Sequence, residues 1–173
     1  GDYMIGIMVV DDLMGGWTSR FATEMKLRFP PKPKNVKPKW LKDVWITGIL
    51  WSSEPVSERC VREAIVTALY RFRYQQQHGY ATTLKQMLAQ EGDVMARAGC
   101  TGPSLTDDDL AYTREVLQPF LDTEDSRTAL ECLFGDAAAR TLGFTPQGLS
   151  PWAGLALALH DATHSEASKK QYL

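Results

Sequence analysis

Only two stretches of this chain carry a strand signature, and from Ser53 onward apolar residues recur at helical spacing almost without interruption. The first, Tyr3-Met4-Ile5-Gly6-Ile7-Met8-Val9-Val10, is short, rich in β-branched residues and closed by Asp11-Asp12. The second, Val44-Trp45-Ile46-Thr47-Gly48-Ile49-Leu50-Trp51, is apolar enough to be buried on both faces. Two strands alone do not make a stable sheet. Such a chain must cover its strands with helices, or complete the sheet with another segment or another molecule. Trp45 and Trp51 lie an even number of residues apart, so they share a face and are expected to anchor the core.

Between the strands, Trp17, Phe21 and Met25 recur at helical intervals, which predicts a helix from Trp17 to Phe29. Pro30, Pro31, Pro33 and Pro38 follow. Each lacks an N–H and restricts its predecessor to extended conformations, so residues 30–42 are expected to form a linker. Strand, helix, linker and strand predict a βαβ-like unit over residues 1–52. Its two strands are parallel by right-handed crossover, with an antiparallel pair as the competing arrangement.

The helical part spans residues 53–166. Val56, Cys60, Val61, Ala64, Ile65, Ala68, Leu69 and Phe72 form one stripe, bounded by Pro55 and Gly79. Thr83 with Gln86, and Thr106 with Asp109, read as capping boxes opening the next two helices; Gly99 stops the first and Pro119 kinks or ends the second. A helix through Leu130, Leu133 and Phe134 stops at Gly135, and another runs from Asp136 toward Gly143. Ser150-Pro151 open the last helix as N-cap and N1, leaving 167–173 as a frayed tail. The expectation is a single domain over 1–173 of the α+β class. It is predominantly helical, with a small two-stranded βαβ-like element followed by five or six helices around one core.

With 173 residues, 44% of them hydrophobic and 23% charged, the chain has enough apolar material for a real core, which excludes a wholly disordered or low-complexity protein. No apolar run approaches the roughly 20 residues needed to cross a bilayer. Cys60, Cys100 and Cys132 are odd in number and widely spaced, in no pattern of a disulfide framework or a thiolate zinc cage. A soluble protein of a reducing compartment, the cytoplasm, is expected, with Cys60 and Cys132 packing as small hydrophobes.

Chemistry is concentrated at two places. In His160-Asp161-Ala162-Thr163-His164 the two imidazoles are four residues apart and share a helix face. They are therefore candidate ligands of one divalent metal, with Asp161 as general base toward a bound water. The spacing is similar to the H-E-x-x-H helix of zinc peptidases with Asp in place of Glu, and a third ligand would have to come from afar: His78, Glu91, Asp11 or Asp12. The second place is Asp11-Asp12-Leu13-Met14-Gly15-Gly16, between a strand and a helix. There, Asp11 and Asp12 could hold a cation while Gly15 and Gly16 let backbone approach a ligand. Ser52 and Ser53 have no base near them in sequence, so no nucleophile is assigned to them.

Charge is unevenly distributed. Lys26, Arg28, Lys32, Lys34, Lys37, Lys39 and Lys42 follow one another without an acidic residue, whereas Asp93, Asp107, Asp108, Asp109, Asp122, Glu124 and Asp125 dominate a later stretch. A sequence pI near 5.9 argues against a dedicated nucleic-acid binder. The leading functional expectation is a non-enzymatic interaction or self-association domain, with a protein partner or a second copy as its target and no membrane. The alternative is a metal-dependent hydrolase built on His160, Asp161 and His164.

Overall fold

The computed structural model describes residues 3–13, 19–31 and 44–170. Gly15, Gly16 and nearly all of the lysine and proline linker lie outside them. The chain forms two compact units, Gly1–Tyr80 and Ala81–Leu173.

The first unit contains β1 (Tyr3–Val10), α1 (Arg20–Arg28), β2 (Val44–Trp51) and α2 (Glu58–His78). The strands pair in parallel over their full length, from Tyr3 opposite Val44 to Val10 opposite Trp51. The parallel arrangement expected from strand, helix, linker and strand is therefore the one adopted, and the α+β, predominantly helical architecture holds. Helix α1 begins at Arg20, where the Ser19 hydroxyl accepts from the Ala22 N–H. Helix α2 begins after Ser57, which caps the Cys60 N–H at 3.2 Å. Val56 thus precedes the helix and is exposed; it is not part of the buried stripe that the periodicity suggested.

Helix α2 lies against one face of the sheet, and chiefly against β2. A Cβ on Gly48 would stand 2.8 Å from the Ala64 carbonyl, so glycine is what lets strand and helix backbones approach. Ile46 is buried on the same face. Trp51 is buried through α1. Its indole N–H donates to Glu24 at 2.9 Å, and the Arg20 guanidinium lies 5.1 Å from its ring centroid. Glu24 is itself buried and held by Arg28 at 2.7 Å. Trp45 corrects the sequence expectation: although it has the parity of Trp51, it is 62% exposed, against 5% for Trp51. Alternation fixes which side of a sheet a residue faces, but burial also needs an element above it. The α1 side chains cover only the Trp51 end of the strand.

The second unit contains α3 (Leu84–Ala98), α4 (Asp107–Leu117), a 3-10 turn (Gln118–Phe120), α5 (Ser126–Phe134), α6 (Asp136–Thr141) and α7 (Ala153–Lys170). Ser150-Pro151 are not the N-cap and N1 of the last helix: Trp152 takes a left-handed backbone, so α7 starts only at Ala153, and it runs on through Lys170, into the residues expected to fray. Other signals read from sequence act where they stand. Thr83 and Gln86 form the full capping box of α3, and Gly99 closes that helix in the left-handed region. At α4 only half the box forms: Thr106 accepts from the Asp109 N–H, while the Asp109 carboxylate takes the Thr106 hydroxyl at 2.9 Å instead of reaching the cap backbone. Pro119 sits in the 3-10 turn that ends α4.

Helix α7 is the centre of this unit. Every residue from Ala153 to Leu159 is buried, so it has no polar face along that length. Glycines set how closely its neighbours come. A Cβ on Gly92 of α3 would stand 2.5 Å from the Ala158 carbonyl, and one on Gly154 would stand 2.5 Å from the Cys132 carbonyl of α5. The loop into α7 is tied down by Asp136, whose carboxylate accepts from the backbone N–H groups of Gln147, Gly148 and Leu149 at 2.9–3.1 Å. Trp152, at φ 62°, stacks edge-on against Phe134. Cys132 is fully buried, and burial pushes its thiol up to about 12, as suits a packing residue.

Candidate functional site

Because β1 and β2 are parallel and end in register, their carboxyl ends bring two polar pairs together: Asp11-Asp12 and Ser52-Ser53. The Ser52 hydroxyl donates to Asp11 at 2.9 Å, the Ser53 hydroxyl donates to Asp12 at 2.6 Å, and the Ser53 N–H donates to Asp12 at 2.9 Å. Arg20, from the first turn of α1, pairs with Asp12 at 3.5 Å and with Glu54. The Ser53 hydroxyl and amide hold the Asp12 carboxyl below the ordinary carboxylate range, with Ser52 and Arg20 adding to the effect against its desolvation. Asp12 is thus a well-supplied anion in the free protein.

Sequence reading placed Asp11 and Asp12 at a ligand loop and assigned Ser52 and Ser53 nothing. The structure puts all four in one network, with Arg20 and Glu54. The available signal was the equal length of the two strands and the polar pair that closes each, since parallel pairing in register then joins the pairs. A serine hydroxyl that donates to a carboxylate has the start of nucleophile geometry. Here, though, both Asp12 oxygens already accept from groups that join the strand ends, and the cluster serves as a clamp.

Helix α7 carries His160, Asp161 and His164 near the surface. The two imidazoles are on one face, as their spacing predicts, and stack with centroids 3.9 Å apart and planes 27° from parallel. Lone pairs in stacked rings run side by side. A shared metal about 2 Å from each nitrogen would require the planes to converge. Asp161 turns to α4, where Arg114 donates to both of its oxygens at 2.8 and 2.9 Å. That bidentate pair holds the Asp161 carboxyl below its ordinary value and raises Arg114; His160, 3.2 Å away, acts on Asp161 in the same direction. His164 reaches the His160 carbonyl at 2.7 Å, which assigns the donated proton to its Nδ1. Among the described residues no three His, Cys, Asp or Glu side chains gather as a metal shell. Of the distant third ligands considered from sequence, Glu91 is buried on α3 with Gln90 as a hydrogen-bond partner, and Asp11 and Asp12 belong to the strand-end cluster.

The acidic stretch is largely structural. Asp93 pairs with Arg97 along α3, Asp107, Asp108 and Asp109 occupy the first turn of α4, and Asp125 caps α5. The neighbouring groove between α3 and α7, about 480 Å³, is lined mainly by small residues such as Ala89, Gly92, Ala96, Ala158 and Ala162.

The third feature is the exterior of the sheet. Met4, Ile5, Ile7, Met8 and Val9 of β1 are all exposed, Val9 at 66%. Alternation divides them between the faces. Ile5, Ile7 and Val9 share the side of Ile46 and Gly48, where α2 covers β2 better than β1. Met4 and Met8 share the other side with Trp45, whose ring lies over Gly6. Among the described residues no third strand pairs with either edge. Each face of the sheet thus carries a short row of exposed apolar side chains, Ile5, Ile7 and Val9 on one and Met4, Met8 and Trp45 on the other, and exposed apolar rows of this kind commonly mark interaction sites. No helix among the described residues is long and apolar enough to cross a membrane.

Comparison with models of known protein families, with curated proteins and with solved structures finds no match for this chain.

Proposed function

We propose that this chain is a soluble, cytoplasmic, non-enzymatic interaction domain that binds another macromolecule or a second copy through the β1 side of its sheet. One observation carries the reading: an eight-residue strand without a charge or a proline exposes apolar side chains on both faces, beside an edge that no strand among the described residues pairs. Edges of that kind are ordinarily blunted by lysines, prolines or bulges, because a bare one recruits another strand. The clamp at Asp11, Asp12, Ser52 and Ser53 supports the reading by fixing the strand ends, so that the surface is preformed. In a reducing compartment the three cysteines, which form no disulfide, remain thiols.

The test is binding of an apolar reporter dye to the dilute protein. Wild type is expected to bind it, and Val9→Lys with Trp45→Ser is expected to lose at least about half of the signal, since the pair removes the most exposed apolar side chain from each face of the sheet. Equal dye binding by the two proteins contradicts the proposal.

A further inference from the structure

Independently of the β1 surface, we infer that His160 and His164 chelate one divalent transition-metal ion through their Nε2 atoms, with Asp161 as the residue that positions the His160 ring.

The hydrogen bonds of the two rings fix which nitrogen of each can act. His160 Nδ1 lies 3.2 Å from an Asp161 oxygen. A carboxylate only accepts, so Nδ1 carries the proton. His164 Nδ1 lies 2.7 Å from the His160 carbonyl, which likewise only accepts. Each neutral ring therefore has its lone pair on Nε2, at the edge remote from its own Cβ. Carboxylates and backbone carbonyls orient metal-binding imidazoles in this way, holding the tautomer through the other ring N–H. Asp161 is itself held from α4, because Arg114 donates to both of its oxygens at 2.8 and 2.9 Å. Its part is to aim the ring, and not to act as the base toward a bound water that the sequence suggested.

The spacing suits a chelate. In a tetrahedral shell with metal–nitrogen bonds of about 2.0–2.1 Å, two ligating nitrogens stand roughly 3.3 Å apart. The ring centroids are 3.9 Å apart and the planes already 27° from parallel. The remaining convergence is a rotation of two surface side chains: His160 is 35% exposed along its side chain, and His164 is exposed. Donor type then selects the ion. Imidazole nitrogen suits zinc, copper and nickel, whereas magnesium and calcium take oxygen shells. Among the described residues no three His, Cys, Asp or Glu side chains gather as a shell, so water completes the coordination and the ion is held reversibly.

The experiment is calorimetric titration of Zn2+ into the full chain, prepared without a histidine tag. It is run on wild type, His164→Ala, Asp161→Ala and a Cys60→Ser, Cys100→Ser double variant, with circular dichroism on each to establish that it is folded. Wild type is expected to bind zinc. Asp161→Ala should raise the dissociation constant about tenfold, the lower end of what loss of an orienting partner costs; His164→Ala, which removes a ligand outright, should raise it by more. The cysteine variant should leave it unchanged, which separates the site from a thiol. Long-range 15N–1H NMR of the imidazoles reads the positioning directly. Both rings of wild type should carry the proton on Nδ1 and shift at Nε2 when zinc is added, and in Asp161→Ala the His160 ring alone should lose its preference for that tautomer.

A wild type that takes up no zinc overturns the chelate. So does uptake that survives in His164→Ala, uptake lost with the cysteines, or a zinc shift at Nδ1. If zinc binds through both Nε2 atoms but Asp161→Ala changes neither the affinity nor the His160 tautomer, the positioning role is overturned.

Discussion

Asp12 shows how much of this fold depends on single hydrogen-bonding residues. It accepts from the Ser53 hydroxyl and amide, from Ser52 and from Arg20, so it joins the end of β1 to the end of β2 and to the first turn of α1. Its pH behaviour follows. The folded-state carboxyl titrates below its ordinary value of 3.8, so its contribution to stability is fully present above that value and is lost as pH falls through the folded-state value. Asp12→Asn removes a proton-linked contribution. Denaturation followed from about pH 6 to about pH 2 should show a shallower loss of stability in the variant than in wild type. A steeper loss, or curves that run parallel, would mean that Asp12 is not the linked group. These contacts were hard to read in advance because the partners are 41 residues apart and meet only through strand register. Trp45 was misjudged for a related reason: parity assigns a face, but only the placement of α1 decides which of two like-facing tryptophans is covered.

At the scale of elements, most of the fold was legible. Ser57, Thr83, Thr106 and Asp125 each cap a helix, and Gly79, Gly99 and Gly135 stand where helices stop. These signals are local, so a window of a few residues contains them. Packing between elements is not local. Nothing in the spacing of Ala153-Gly154-Leu155-Ala156-Leu157-Ala158-Leu159 says that all of it is buried, since the segment has no polar face to orient it. Its small residues instead record close backbone approach. Gly154→Ala places a methyl group against the Cys132 carbonyl and the Leu133 backbone, which can give way only by separating α5 from α7. We expect a loss of about 1 to 3 kcal/mol in chemical denaturation, in the range for overpacked cores. Gly143→Ala is the comparison, because its added methyl group has no neighbour within reach and the cost there is only that of a left-handed backbone. If the two substitutions cost the same, the close approach of α5 and α7 is not what Gly154 provides.

The whole molecule has a well-enclosed helical unit and a strand-bearing unit whose sheet has two strands among the described residues. The sequence already implied that such a sheet needs completion, because it contains only two strand signatures. Which side is left open could not be read, since β1 and β2 are equally apolar and differ only in what packs on them. The His160, Asp161 and His164 helix was likewise located correctly by its spacing, but its surroundings were not legible: Arg114, which takes both Asp161 oxygens, is 47 residues away. The central claim is that β1 is an uncovered apolar surface, and the methionines report on it directly. Met4 and Met8 lie on it, whereas Met25, Met87 and Met95 are buried at 4–8% exposure. Oxidation of the dilute full-length chain, resolved residue by residue, should convert Met4 and Met8 to the sulfoxide at least about tenfold faster than the other three, as expected when exposure sets the rate. Met4 and Met8 reacting as slowly as Met87 and Met95 would mean that β1 is already covered within a single chain, and would contradict the account.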